Sequence, residues 1–282
     1  MAEGGTADAV ETARRYYGSA EVDGFYRTVW GGQDIHTGSY LDAGEPIATA
    51  SRRTVERAAS KIAERLGRPG TTVLDLGSGY GGATRYLVER FGCRVVALNI
   101  SESQNERHRA ANAQQGLDRS IEVVTGSFQD IPFPDGHFDV VWSQEAFCHS
   151  PDRDRLLGEV ARVLRPGGEV VFTDVMAADG VAPESLRSVI ARLEVTGLAT
   201  PGYYLKQFAE AGPIRVDFDD HSEQLLTHYV RLVEETRRSA DQLRELVGPA
   251  YLEGLLENLP LWVAACRQGR LSWGIFHGRD DR

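Results

Sequence analysis

An acid and four glycines fall within eight residues of this 282-residue chain: Asp75, Gly77, Gly79, Gly81 and Gly82 in VLDLGSGYGG (73–82). Val73-Leu74 is apolar, and the segment ATRYLVERF that follows is compatible with a helix, so a strand, a glycine turn and a helix are predicted. Glycine tolerates positive φ and lets a ligand come close to the main chain. The pattern Gly77-x-Gly79-x-x-Gly82 alone also serves dinucleotides. The acid is more selective. A carboxylate two residues before Gly77, facing the ligand, would attract a cation and repel a pyrophosphate. That suits a sulfonium or an amino group, and the expected ligand is S-adenosylmethionine, held by Asp75, Gly77, Ser78 and Gly79. A turn that binds nothing would not require four glycines and an acid.

Further candidates sit at the ends of the next three apolar runs, where ligands bind in open α/β sheets. VVALNI ends at Asn99, 22 residues beyond Gly77. Its amide can reach ribose hydroxyls, with Ile100 beside it and Gln104 one helical turn on; the alternative for Asn99 is a helix cap. In GSFQDIPFPDGHFD, Ser127 and Phe128 could recognise adenine by hydrogen bonding and stacking, or Phe128 could be core. Phe133 and Phe138 read as packing residues. FDVVWSQEAFCHS ends in Ser143-Gln144-Glu145: Gln144 is expected at the donor, Glu145 near the methyl acceptor or as a cap, and His149 as structural.

The elements that must carry these residues alternate from residue 71 onward. Strands are expected at 72–76, 94–98, 121–125, 138–143, 169–174, 214–218 and 271–278. Helices are expected near 82–91, 103–115, 153–164, 184–196 and 203–211. The alternation implies a parallel sheet with helices on both faces, an α/β fold of Rossmann-like kind. VLRPGG (163–168) reads as a helix exit and turn. Before the sheet, residues 1–10 are expected to fray and 11–66 to be helical, broken at Gly31-Gly32. A helical insertion at 222–268, divided at Gly248-Pro249, precedes the last strand and is a natural substrate lid. The expected division is 1–70 as an N-terminal helical cap, 71–176 as the donor-binding core, and 177–282 as the rest of the sheet with the lid.

Composition is ordinary for a globular protein, with 41% hydrophobic and 26% charged residues. The net charge of −10 offers no basic footprint for nucleic acid and argues against anionic membrane surfaces. Cys93, Cys148 and Cys266 are scattered without metal spacing, so free thiols and no metal site are expected. The start, MAEGGTADAVETARRYY, lacks a signal pattern, and no apolar run approaches about 18 residues. A cytoplasmic protein with a small-molecule substrate is expected; a homo-oligomer stays open.

Taken together, residues 71–176 resemble class I S-adenosylmethionine-dependent methyltransferases. The resemblance implies a seven-stranded sheet with six parallel strands and an antiparallel last one. The flanks are more specific. Phe25-Tyr26, Val29-Trp30-Gly31-Gly32, Asp34-Ile35-His36, Gly38 and Tyr40 are similar to the N-terminal segment of sarcosine/dimethylglycine N-methyltransferases, which make glycine betaine. LNIS, WSQEAFCHSPD, TDVMAADG (173–180), THY (227–229) and RLSWG (270–274) continue the similarity.

Methyl transfer from a sulfonium is an in-line displacement that needs positioning rather than a metal or a covalent intermediate. The cation formed on an amine can be stabilised by aromatic faces, each worth about 0.5–2 kcal/mol. Tyr26, Trp30, Tyr40, Tyr203, Tyr204 and Tyr229 are available, and Tyr40 is also a candidate donor ligand. A substrate carboxylate would need a cation or amide, for which His36, Arg192, Lys206 and His228 are candidates. An alternative is a natural-product C- or O-methyltransferase, for example on an isoprenyl diphosphate, with Glu145 stabilising a carbocation or removing its proton. An NAD-dependent oxidoreductase and a non-catalytic binding protein are two further readings.

Overall fold

The computed structural model describes residues 19–31, 33–193 and 195–282. The expected fraying of residues 1–10, the helical reading of residues 11–18, and Gly32 lie outside the described residues. Seven strands form one sheet: β1 (Thr72–Leu76), β2 (Arg94–Asn99), β3 (Ile121–Thr125), β4 (Phe138–Gln144), β5 (Leu164–Ala177), β6 (Ile214–Asp220) and β7 (Leu271–Asp280). Their spatial order is β3-β2-β1-β4-β5-β7-β6. β1 pairs in parallel with β2 and β4, as do β2 with β3 and β4 with β5. β7 runs antiparallel between β5 and β6. Six strands therefore share one direction and the last opposes them, as the resemblance implied. The order reverses between β1 and β4, which opens a crevice at the carboxyl ends of these strands.

Each expected strand lies within the observed one. β5 begins earlier, at Leu164, because the Arg165–Gly168 segment is taken up as an irregularity: Phe138 faces Leu164, yet Val140 already faces Glu169. The helices are α1 (Ala20–Val29), α2 (Ile47–Lys61), α3 (Ala63–Leu66), α4 (Gly82–Phe91), α5 (Glu102–Gln114), α6 (Arg153–Val163), α7 (Arg187–Ile190), α8 (Pro201–Ala211), α9 (Ser222–Arg238), α10 (Ala240–Val247) and α11 (Pro249–Arg267). Ser19, Ser101, Asp152 and Thr200 each accept a backbone N–H at a helix start, the usual role of short polar side chains there. Three helix expectations change. The break expected at Gly31-Gly32 is much longer: the described residues from Gly31 to Pro46 are irregular, and helix resumes only at Ile47. The stretch near 184–196 is not one helix but a set of short turns around α7. The late insertion is three helices, broken at Ser239 as well as at Gly248.

The apolar faces of these elements fill three cores. Two flank the sheet, one built around Leu74, Phe147 and Phe172 and the other around Val73, Leu87 and Trp142. The third lies over the strand ends. It joins Val22, Phe25 and Val29 of α1 to Leu225 and Leu232 of α9, Leu243 of α10 and Trp262 of α11, and to Val175 and Trp273 of the sheet. Thus α1 and the insertion, far apart in the chain, share one core above the crevice.

Candidate active site

The loop after β1 is a backbone cradle. Gly77, Gly79 and Gly81 have φ of 75°, 53° and 77°, values that favour glycine. A Cβ on Gly77 would lie 2.4 Å from the Cβ of Ala146, and one on Gly81 would meet the ring of His108. Buried Arg85 of α4 pins the loop by donating to the Tyr80 carbonyl (2.8 Å) and to Asn112 Oδ1 (3.3 Å). Asp75 departs from the expectation that it faces the ligand. It is only 2% exposed, does not line the cavity, and accepts a 2.5 Å hydrogen bond from the Thr84 hydroxyl. The cause is strand alternation: the carboxylate packs under the loop, against the first turn of α4, instead of into the crevice. Burial pushes its pKa up to about 6, against the opposing pull of Thr84 and of the His36 charge.

Gly77, Ser78, Gly79, Asn99, Ile100, Gln104, Ser127, Phe128, Gln144 and Glu145, all singled out above, line one cavity. Asn99 spends its amide N–H groups on Gln104 Oε1 (3.0 Å) and Asn105 Oδ1 (3.2 Å), which leaves its oxygen as an acceptor. Phe128 both lines the cavity and packs against the sheet core. The Ser78 hydroxyl and both amide atoms of Gln144 are buried without a hydrogen-bond partner among the described residues. Buried polar atoms in native proteins are ordinarily satisfied, so orphans lining a cavity beside a glycine cradle fit a polar ligand such as S-adenosylmethionine.

The same cavity continues under the cap, where Tyr26, Trp30, His36, His228, Tyr229 and Arg192 line it. Glu145, the first residue beyond β4, is the one non-glycine with positive φ (46°) among the described residues. Such a conformation costs of the order of 1–3 kcal/mol and clusters at functional sites. Its carboxylate is fixed from two sides. Trp273 Nε1 donates to Oε1 at 2.6 Å, and His36 Nδ1 lies 3.2 Å from Oε2 at ion-pair distance without hydrogen-bond alignment. Burial pulls the His36 pKa down, but Glu145, with Asp34 and Asp75, outweighs it and leaves it above the ordinary histidine value. Trp30 Nε1 and the Ser51 hydroxyl both donate to the His36 carbonyl, at 3.2 and 2.7 Å.

Other candidates are placed elsewhere. Tyr204 is fully buried in the sheet core, its hydroxyl donating to Asp174 Oδ2 at 2.6 Å; it cannot reach an acceptor in the cavity, because α8 turns it inward. The Tyr203 hydroxyl donates to Asp154 (2.6 Å) and Lys206 is paired with Glu210 (3.6 Å), both away from the cavity. Tyr40, expected at the donor, does not line the cavity either. It backs His228, with its hydroxyl 2.9 Å from Nδ1. His149 lines the cavity, and burial pushes its pKa down to about 4. Three contributors were not anticipated. Trp273 orients Glu145, Cys148 brings a buried thiol to the lining, and Tyr80, also in the lining, donates to Asp23 of α1 at 2.6 Å. The indole in RLSWG was the only signal available for Trp273.

Residues 74–172 match the family described as Methyltransferase domain. A sarcosine/dimethylglycine N-methyltransferase of Halorhodospira halochloris is 48% identical over 96% of either chain. One of Aphanothece halophytica is 43% identical over 96% of this chain and 98% of its own. Among solved structures, a candidate sarcosine dimethylglycine methyltransferase from Galdieria sulphuraria superposes with a TM-score of 0.88 at 36% identity, covering 93% of this chain and 98% of that one. A glycine cradle, orphaned polar groups and an aromatic extension, in a chain this similar along nearly its whole length, lead to one conclusion: the chain belongs to the sarcosine/dimethylglycine N-methyltransferases of the S-adenosylmethionine-dependent class.

Proposed function

We propose that the enzyme methylates the amine nitrogen of sarcosine and dimethylglycine, so that its final product is glycine betaine. The observation that carries this reading is that one cavity is lined both by the glycine cradle and by Tyr26, Trp30, His228 and Tyr229, with Glu145 in the same lining beside His36. S-adenosylmethionine supplies an electrophilic methyl group on a positively charged sulfur. Asn99 and Gln104 would hold its ribose, Ser127 and Phe128 its adenine, and Ser78 and Gln144 its amino-acid end. An acceptor bound with its nitrogen unprotonated, its proton left to solvent, would take the methyl group at its lone pair while the donor leaves as a neutral thioether, so positive charge would come to sit on nitrogen. Glu145 offsets that charge, and the aromatic faces add cation–π stabilisation. Holding donor and acceptor in line accounts for most of the barrier reduction, for which orientation can supply roughly 7–11 kcal/mol.

The near-full-length similarity to amine methyltransferases favours this reading over a prenyl-diphosphate acceptor. Incubation with methyl-labelled S-adenosylmethionine and glycine, sarcosine, dimethylglycine or geranyl diphosphate tests it: label is expected in dimethylglycine and betaine, and label found only on the prenyl compound rejects it. Glu145→Gln should lower kcat by about a hundredfold to a thousandfold, the range for a lost electrostatic stabiliser of the transition state. Its affinity for S-adenosylhomocysteine, read by calorimetry, should be little changed. Wild-type turnover in that variant would remove Glu145 from the chemistry.

A further inference from the structure

The acceptor side of the cavity holds a neutral hydrogen-bond donor whose direction is fixed by the backbone. Gly38 N–H, which can only donate, points at His228 Nδ1 at 3.2 Å. Nδ1 is therefore unprotonated, and the Tyr40 hydroxyl, 2.9 Å away, donates to it as well. The proton must reside on Nε2. Gly38 and Tyr40 do not line the cavity, whereas the His228 ring does, so the edge turned toward the cavity carries Nε2. That nitrogen has no hydrogen-bond partner among the described residues, although the residue is only 2% exposed. The ring is wedged in place by Trp30 (centroids 5.3 Å apart) and Tyr229 (6.0 Å). Burial, and then the charge on His36, push its pKa down to about 3.

We propose that His228 Nε2–H binds the substrate carboxylate and is the group by which the enzyme prefers an amino acid to an amine without an acid. This rests on the reading under Proposed function and names how that acceptor is selected. His228 lines the same cavity as Glu145 and His36, and in sarcosine and dimethylglycine a single methylene separates the nitrogen from the carboxyl carbon, so one acceptor molecule presents both groups to that wall. Arg192, on the same cavity wall, supplies positive charge, with its guanidinium over the Phe25 ring at 5.9 Å. His228 supplies direction. Because it stays neutral, it adds no further cation to that of Arg192 beside the sulfonium and the developing ammonium. A protonated histidine there would oppose both.

The test compares dimethylglycine with N,N-dimethylaminoethanol, which replaces the carboxylate by an alcohol. In the wild type, kcat/KM should favour the acid strongly. His228→Phe keeps the ring volume and removes the donor. It should cut that preference by about tenfold to a hundredfold, the range for a hydrogen bond to a charged group, through KM for dimethylglycine. KM for S-adenosylmethionine should be unchanged. His228→Gln, which returns an N–H at similar reach, should recover part of the preference. A role in packing alone would lower activity on both acceptors equally, and that result overturns the assignment. Should His228→Phe fail to fold, ¹⁵N-histidine NMR of the wild type with S-adenosylhomocysteine decides. Dimethylglycine should shift the Nε2–H resonance while Nδ1 stays unprotonated, and an unmoved Nε2–H sinks the proposal. If the wild type methylates neither sarcosine nor dimethylglycine, the functional reading fails and the assignment falls with it. If both are methylated and His228→Phe keeps the full preference, only the assignment falls.

Discussion

Asp75 is a costly residue where it stands. Its carboxylate is buried under the glycine loop, and the pKa is raised from 3.8 to about 6. A group whose folded pKa is raised binds its proton more tightly in the native state. Its stabilising contribution is therefore full below the unfolded pKa, near 4, and is lost as pH rises through about 6. Above that, ionised Asp75 costs up to roughly 3 kcal/mol relative to a neutral group of the same shape. Asp75→Asn keeps an acceptor for the Thr84 hydroxyl and is expected to be more stable than the wild type at pH 7.5, with the gap shrinking toward pH 4.5 in urea titrations. The charge is useful if it favours the cationic donor from beneath the loop. Asp75→Asn should then lose more affinity for S-adenosylmethionine than for the uncharged sulfur of S-adenosylhomocysteine. Equal losses would make Asp75 a purely structural residue, and a stability gap independent of pH would refute the burial argument. Such an exchange of stability for function is common at active sites.

At the scale of elements, α1 is latched across the donor cradle. Buried Asp23 accepts from the Tyr80 hydroxyl in the glycine loop at 2.6 Å and pairs with Arg107 of α5. Tyr80 lines the cavity, so the latch ties α1 to the loop that would hold the donor. Asp23→Ala should speed release of S-adenosylhomocysteine and raise its Kd by about tenfold, as expected for losing a buried hydrogen bond to a charged group. Stopped-flow fluorescence and calorimetry measure the two, and unchanged values would show that the latch bears no load. These links also mark where the sequence stopped being legible. Strands buried on both faces, such as VVALN and FDVVW, declare themselves as apolar runs, and glycines declare the turns; β1, β3 and α4 were read to the residue. The break at Ser239 carries neither glycine nor proline, so α9 and α10 read as one helix. Tyr204 looked like an aromatic for a cation because its partner Asp174 lies 30 residues earlier, on another element. His228 depends on Gly38, 190 residues away. Pairings of that separation are set by tertiary packing and leave no local pattern.

For the molecule as a whole, the three-part division expected from sequence, 1–70, 71–176 and 177–282, is crossed by the core over the strand ends. Phe25 is fully buried there, with its ring 5.7 Å from Tyr26 and 5.6 Å from Trp30, among side chains from α9, α10 and α11. If α1 and the insertion are one cooperative unit, damage to either should loosen both and leave the sheet intact. Phe25→Ala removes a buried aromatic, a change that ordinarily costs about 3–5 kcal/mol. Hydrogen exchange should then speed up together in α1 and in α9 to α11, while β1, β2 and β4 keep their protection, since sub-global opening proceeds in contiguous units. Activity should fall through the acceptor, whose box contains Tyr26, Trp30 and Tyr229 from the same unit. Donor affinity should fall less, because most of its lining comes from the loops after β1, β2, β3 and β4. Faster exchange confined to α1, with α9 to α11 unaltered, would mean that the cap is two independent pieces and that the N-terminal helix opens by itself.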